Sequence, residues 1–359
     1  MKQKWGIVIA GVIIGLVAIC LGLFGNPANM AFCIACFIRD TAGALGLHGA
    51  EAVQYIRPEI IGIVLGAFVI SLIKKDHAPK GGSSPFTRFI LGVCVMVGAL
   101  IFLGCPLRMV LRISGGDLNA IIGIIGFIAG IATGIFFLNR GFSLKRTYTQ
   151  PVIESVGLPV VNVVLLILLV AAPAFILFSE TGPGLMHAPI IMSLVGGLIV
   201  GIVAQRSRLC FIGGIRDAIL FKNFHLLFGF VAILVTVLVG NLITGNFHLS
   251  IADQPIAHTE WIWNILGLYL VGFGSVLLGG CPLRQVVLAG SGNSDSAVTV
   301  LGFFVGAAIC HNFGLASSGS GTTANGHVAF VICVIVVFAI AVFNTRKSSQ
   351  AQGSQGVAA

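Results

Sequence analysis

Long apolar runs separated by short polar stretches dominate this chain. Ten runs of roughly 20 residues lie near 5–24, 57–75, 86–104, 117–138, 159–179, 188–205, 225–244, 260–279, 296–315 and 327–344. Each is long enough, as a helix, to cross a hydrocarbon core of about 30 Å. The first run follows Met1-Lys2-Gln3-Lys4. It exceeds the apolar core of a signal peptide and reads as an uncleaved first helix. The last residues, from Ser348 to Ala359, are rich in Gln, Ser and Gly, which predicts a disordered tail.

Composition narrows the class. Only 9% of the residues are charged and 57% are hydrophobic, too few charges to cover the surface of soluble domains. The expected fold is an all-α polytopic membrane protein in the lipid bilayer. A net charge of +9 could suggest nucleic acid, but no basic stripe with interleaved aromatics appears. Lys2, Lys4, Lys74, Lys75, Lys80, Arg88, Arg140, Lys145, Arg146, Arg206, Arg208, Arg216, Lys222, Arg284, Arg346 and Lys347 all fall on one side of a ten-span map. The other side holds only Arg39, Arg57, Arg108 and Arg112. The positive-inside rule then places both termini in the cytoplasm.

An internal repeat organises the chain. Cys33 and Ile38-Arg39-Asp40 recur as Cys210 and Ile215-Arg216-Asp217 at an offset of 177, which His48 and His225 share. Cys105-Pro106-Leu107-Arg108 recurs as Cys281-Pro282-Leu283-Arg284 at an offset of 176. Two halves are expected, 1–180 and 181–345, followed by the tail at 346–359. Five spans per half would leave the second inverted, the plan of many transporters. The repeated words sit in segments too short or too polar to span, at 26–48, 105–116, 208–222 and 281–295. These are expected to be four re-entrant segments.

Cysteine followed by proline suits a broken helix, because proline is favoured in the first turn. Exposed helix amides and the dipole attract anions, and the same field makes a thiol more reactive. Cys33, Cys105, Cys210 and Cys281 therefore form the candidate functional set, while Cys20, Cys94, Cys310 and Cys333 read as packing residues within spans. Cys33-Ile34-Ala35-Cys36 is a CxxC, but Gly213 occupies the position equivalent to Cys36, so Cys33 alone joins the symmetric set. Arg39, Asp40, Arg216 and Asp217 are candidates for helix anchoring or anion attraction. Arg108 and Arg284, with no adjacent acid, are the better attractors, and His48 and His225 read as interfacial caps. No Walker A, HExxH or EF-hand pattern occurs, and no metal or cofactor is expected.

These words, with Ala289-Gly290-Ser291-Gly292-Asn293-Ser294-Asp295, resemble the YeeE/YedE family of bacterial sulfur-transport membrane proteins. The resemblance runs to about residue 345. Gly280-Cys281-Pro282-Leu283-Arg284-Gln285 is most similar to the YedE-type selenium transporters. It implies an hourglass-shaped inner-membrane transporter, not an enzyme, in which cysteines at the tips of short helices pass an anion inward by thiol hydrogen bonds. Cys33, Cys105 and Cys281 match such positions, and Cys210 is the repeat equivalent of Cys33. Ser291, Gly292, Asn293 and Asp295 join the site through the family word. A cytoplasmic TusA-like sulfur carrier is the implied partner. The expected cargo is a small selenium- or sulfur-containing anion. Thiosulfate uptake, and a membrane thiol enzyme passing sulfur or selenium to a carrier, are the alternatives. A purely structural membrane protein is a further one.

Overall fold

A computed structural model describes residues 2–355, with side chains described for residues 6–345. The expected tail at 346–359 thus lies outside the residues whose side chains are described. The first half runs through α1 (Lys2–Leu23), α2 (Ile34–Ala44), α3 (Pro58–Ile73), α4 (Pro85–Phe102), α5 (Pro106–Ser114), α6 (Leu118–Asn139) and α7 (Val152–Ala171). The second runs through α8 (Gly182–Leu185), α9 (Ile190–Ser207), α10 (Phe211–Phe221), α11 (His225–Thr244), α12 (Trp261–Leu278), α13 (Pro282–Gly290), α14 (Ser294–Asn312) and α15 (Ala324–Gln355). Ten segments among the described residues are long and apolar enough to cross a membrane. The chain is an all-α polytopic membrane protein.

The run expected at 159–179 begins earlier, at Val152, and ends at Ala171. Pro159 sits inside that helix, and Pro173 follows its C-cap, Ala172, where the backbone turns left-handed. Proline one or two residues past the cap ends a helix because it cannot continue it.

Besides the single turn of α8, four helices are too short to span. α5 and α13 have nine residues each, and α2 and α10 have eleven. At 1.5 Å per residue these reach only about 14–17 Å, half a bilayer. Their bounds recur: α2 and α10 are offset by 177, and α5 and α13 by 176. α4 and α12 share the offset of 176. The caps recur as well. The Asp117 carboxylate accepts from the Asn119 and Ala120 amides at the start of α6, and the Asn293 side chain accepts from Ser296 at the start of α14.

The main helix pairs each join one half to the other: α6 with α12, α3 with α9, α4 with α14 and α1 with α11. Lipid offers helices no hydrophobic reason to associate, so close backbone packing must do it, and small residues permit that. At the crossing of α4 and α12, a Cβ on Gly98 would lie 2.8 Å from the Gly267 carbonyl oxygen. One on Gly267 would lie 2.8 Å from the Gly98 oxygen. A two-stranded ribbon, β1 (Lys80–Gly81) with β2 (Tyr148–Thr149), ties the α3–α4 loop to the α6–α7 loop. It lies on the face that carries most basic residues, hereafter the basic face.

Candidate functional site

Each of the four expected cysteines occupies the N-cap of a short helix: Cys33 for α2, Cys105 for α5, Cys210 for α10 and Cys281 for α13. Proline at the first position of α5 and α13 fixes the break, and its missing N–H is one that a helix start leaves unpaired anyway. In the other two helices the cysteine itself caps. The Cys36 amide donates to Cys33 Sγ at 3.5 Å, and the Gly213 amide to Cys210 Sγ at 3.4 Å.

The structure sorts these thiols into two pairs. Cys33 Sγ and Cys105 Sγ lie 3.9 Å apart, and the Cys210 and Cys281 side chains neighbour each other. All four are buried, none more than 7% exposed. Cys36, set aside in the sequence for lack of a repeat partner, lies beside Cys33. Its Sγ approaches the Leu103 carbonyl at 3.8 Å and accepts from Arg108 Nη1 at 3.6 Å. The partner that would have exposed it, Arg108, is 72 residues away in sequence.

The charged candidates divide by half. Asp40 is buried between two guanidiniums: Arg39 Nη2 reaches Oδ1 at 2.7 Å and Arg57 Nη2 reaches Oδ2 at 2.7 Å. Arg57, counted in the sequence only among the four arginines of the sparser side, also donates to the Met186 and Pro183 carbonyls at 3.0 and 2.7 Å. Asp40 thereby anchors α2 to the start of the second half. The equivalent Arg216–Asp217 pair, 2.9 Å apart, is partly exposed.

Arg108 is fully buried. It donates to the carbonyls of Asn29 (3.3 Å), Pro255 (3.4 Å), Ile256 (2.9 Å) and Leu103. The guanidinium is thus enclosed within the protein rather than displayed to solvent. Arg284 differs. It is half-buried, bonds the Gln205 side chain at 3.3 Å, and lines a cavity of about 1130 Å³ on the basic face with Arg206, Arg208 and His225. On the opposite face a smaller cavity of about 290 Å³ is lined by Asn26, Asn29 and Ala31 of the segment leading to Cys33.

The family word around residue 291 serves architecture. Asp295 accepts from the Ser83 amide at 3.0 Å and lies 3.7 Å from Arg88 Nε. Asn293 caps α14, the Ser291 hydroxyl bonds the Val287 carbonyl at 2.8 Å, and Gly292 adopts φ +100° beneath His77. None of the four makes a described hydrogen bond or ion pair with Cys33, Cys105, Cys210 or Cys281. No group of three or more metal-ligating side chains is present among the described residues.

A family model described as Sulphur transport matches residues 206–355, a narrower stretch than the words of the first half suggest. The "Thiosulfate transporter TsuA" of Escherichia coli (strain K12) is 31% identical over 127 residues, 34% of this chain and 35% of that protein. The protein of the same name from Spirochaeta thermophila (strain ATCC 700085 / DSM 6578 / Z-1203) is 29% identical over 115 residues, 32% of this chain and 34% of that protein. The match therefore spans about a third of the length of these relatives. Over residues 206–355 the chain is thus similar to the YeeE/YedE sulfur-transport family of membrane proteins.

Proposed function

We propose that the protein is an inner-membrane transporter that moves thiosulfate, or an anion of the same kind, inward between its two thiol pairs. The observation that carries this is the placing of four buried cysteines at the N-caps of four half-length helices, in two pairs. A desolvated dianion there meets S–H donors and helix N-terminal amides, donors a membrane interior otherwise lacks. Thiosulfate stands ahead of the selenium anion expected from the YedE-type word because both relatives are named thiosulfate transporters.

The basic face is taken as cytoplasmic, with Arg284 and the large cavity forming the exit. Recurring helix bounds and caps support two inverted halves, 1–180 and 181–345. A TusA-like carrier collecting the cargo at the exit fits the resemblance and belongs to the same proposal.

Uptake of labelled thiosulfate into proteoliposomes, with selenite and sulfate as competitors, tests the reading. Cys105→Ala and Cys281→Ala should each lose about ten- to hundredfold in rate, the effect of one unmade hydrogen bond to a charged group on the barrier. Cys→Ser, which keeps a donor, should retain part of it. If the path instead formed a covalent persulfide, Ser would be as inactive as Ala. Wild-type rates in both Ala variants would sink the relay.

A further inference from the structure

We propose that Cys36 is a third thiol of the outer site, the Cys33–Cys105 pair, and selects anions that carry a terminal sulfur; this rests on the transport reading above. Three observations meet at this residue. First, its sulfur is not needed by the fold of α2. The third residue of α10 is Gly213, and its amide caps Cys210 Sγ at 3.4 Å just as the Cys36 amide caps Cys33 Sγ at 3.5 Å. A glycine can therefore fill this position without losing the cap.

Second, Cys36 is the side-chain partner of a buried cation that has no acid. Arg39 and Arg57 share Asp40, and Arg112 lies 2.6 Å from Asp117. Among the described residues no carboxylate pairs with Arg108, whose other partners are carbonyl oxygens. A full positive charge in the interior calls for a counter-charge. Here it reaches the thiol cluster through Cys36 Sγ, 3.6 Å from Nη1.

Third, Cys36 is contiguous with the path. It lies beside Cys33, which is 3.9 Å from Cys105. The outer site thus offers three polarisable sulfurs backed by one uncompensated guanidinium, and the inner site two. Thiosulfate and sulfate carry the same charge, but only thiosulfate presents a soft sulfur to match such a cluster. The third thiol should therefore separate the two anions.

The test is binding to protein in lipid nanodiscs, measured directly so that it does not depend on transport. Cys36→Gly and Cys36→Ala should weaken thiosulfate binding about tenfold, the size expected for losing one bond to a charged ligand. The inhibition constant for sulfate should change by less than about twofold. Cys36→Ser, nearly isosteric, should fall between, and it decides the matter if the other two fold poorly. An unchanged thiosulfate Kd overturns the proposal, and so does equal weakening for both anions, which is what a packing role gives. Absence of thiosulfate binding to the wild type also overturns it. Wild-type binding without uptake would instead count against the transport reading and leave Cys36 to be judged on the Kd values.

Discussion

At the scale of single residues, two arginines of one repeated word do different work. Arg284 is half-buried and faces a cavity open to solvent, so its charge acts at a distance and is screened by salt. Arg284→Gln should weaken uptake more at low than at high ionic strength, with little change in melting temperature. Arg108 is enclosed by four carbonyls and a thiol. Arg108→Gln leaves several buried acceptors unpaired at about 1–3 kcal/mol each and should lower the melting temperature sharply at any salt. Thermal melts beside uptake at two ionic strengths separate them. Equal salt dependence in both, with equal melts, would mean the two positions are equivalent after all. The words Cys-Pro-Leu-Arg were legible in the sequence because proline after cysteine declares a helix start. What the two arginines touch was not, because the carbonyls around Arg108 come from residues 29, 103, 255 and 256.

At the scale of elements, the loop between α11 and α12 holds the break at Cys105 in place. Its Pro255 and Ile256 carbonyls take Arg108, its His248 amide donates to Gly115 at 2.9 Å, and Ser250 accepts from Leu118 at 3.1 Å. His258 closes it, with Nε2 against the Ile101 carbonyl at 2.8 Å, while Nδ1 is buried with no partner. Burial holds this imidazole below its usual pKa, the nearby Arg112 pushing the same way, while the Ile101 carbonyl and the Glu260 and Asp117 carboxylates oppose it. The ring is therefore neutral when folded, and charging it would bury an Nδ1–H that nothing accepts. A depressed folded value means that the stability is fully present above the unfolded value, about 6.5. It is lost as pH falls through that value towards the folded one. Between pH 7.5 and 5 the melting temperature should fall further for wild type than for His258→Gln, which keeps a donor for Ile101 but cannot titrate. Parallel curves would remove His258 from the account. The apolar runs found the spanning helices to within a few residues, apart from α7 and the far end of α15. It could not find this loop, because a polar stretch between two spans carries no pattern that says which helix break it covers.

At the scale of the whole molecule, the two faces differ in kind. The basic face opens into a cavity of about 1130 Å³ lined by Arg206, Arg208 and Arg284, and the other into one of about 290 Å³ lined mainly by apolar and amide side chains. Cys33, Cys105, Cys210 and Cys281 are at most 7% exposed, and none lines either cavity. The conformation is thus closed to both sides at the thiols, and access requires movement of the short helices. If the halves are inverted, that access is also sided. In variants that retain one path thiol, an impermeant methanethiosulfonate reagent should reach Cys105 from the face opposite the termini and Cys281 from the face that bears them. Both reactions should be slow, because they wait on opening, and thiosulfate should slow them further by occupying the site. Right-side-out and inside-out vesicles give the two directions. Labelling of both thiols from a single face would break the inverted arrangement and, with it, the passage of an anion from one pair to the other.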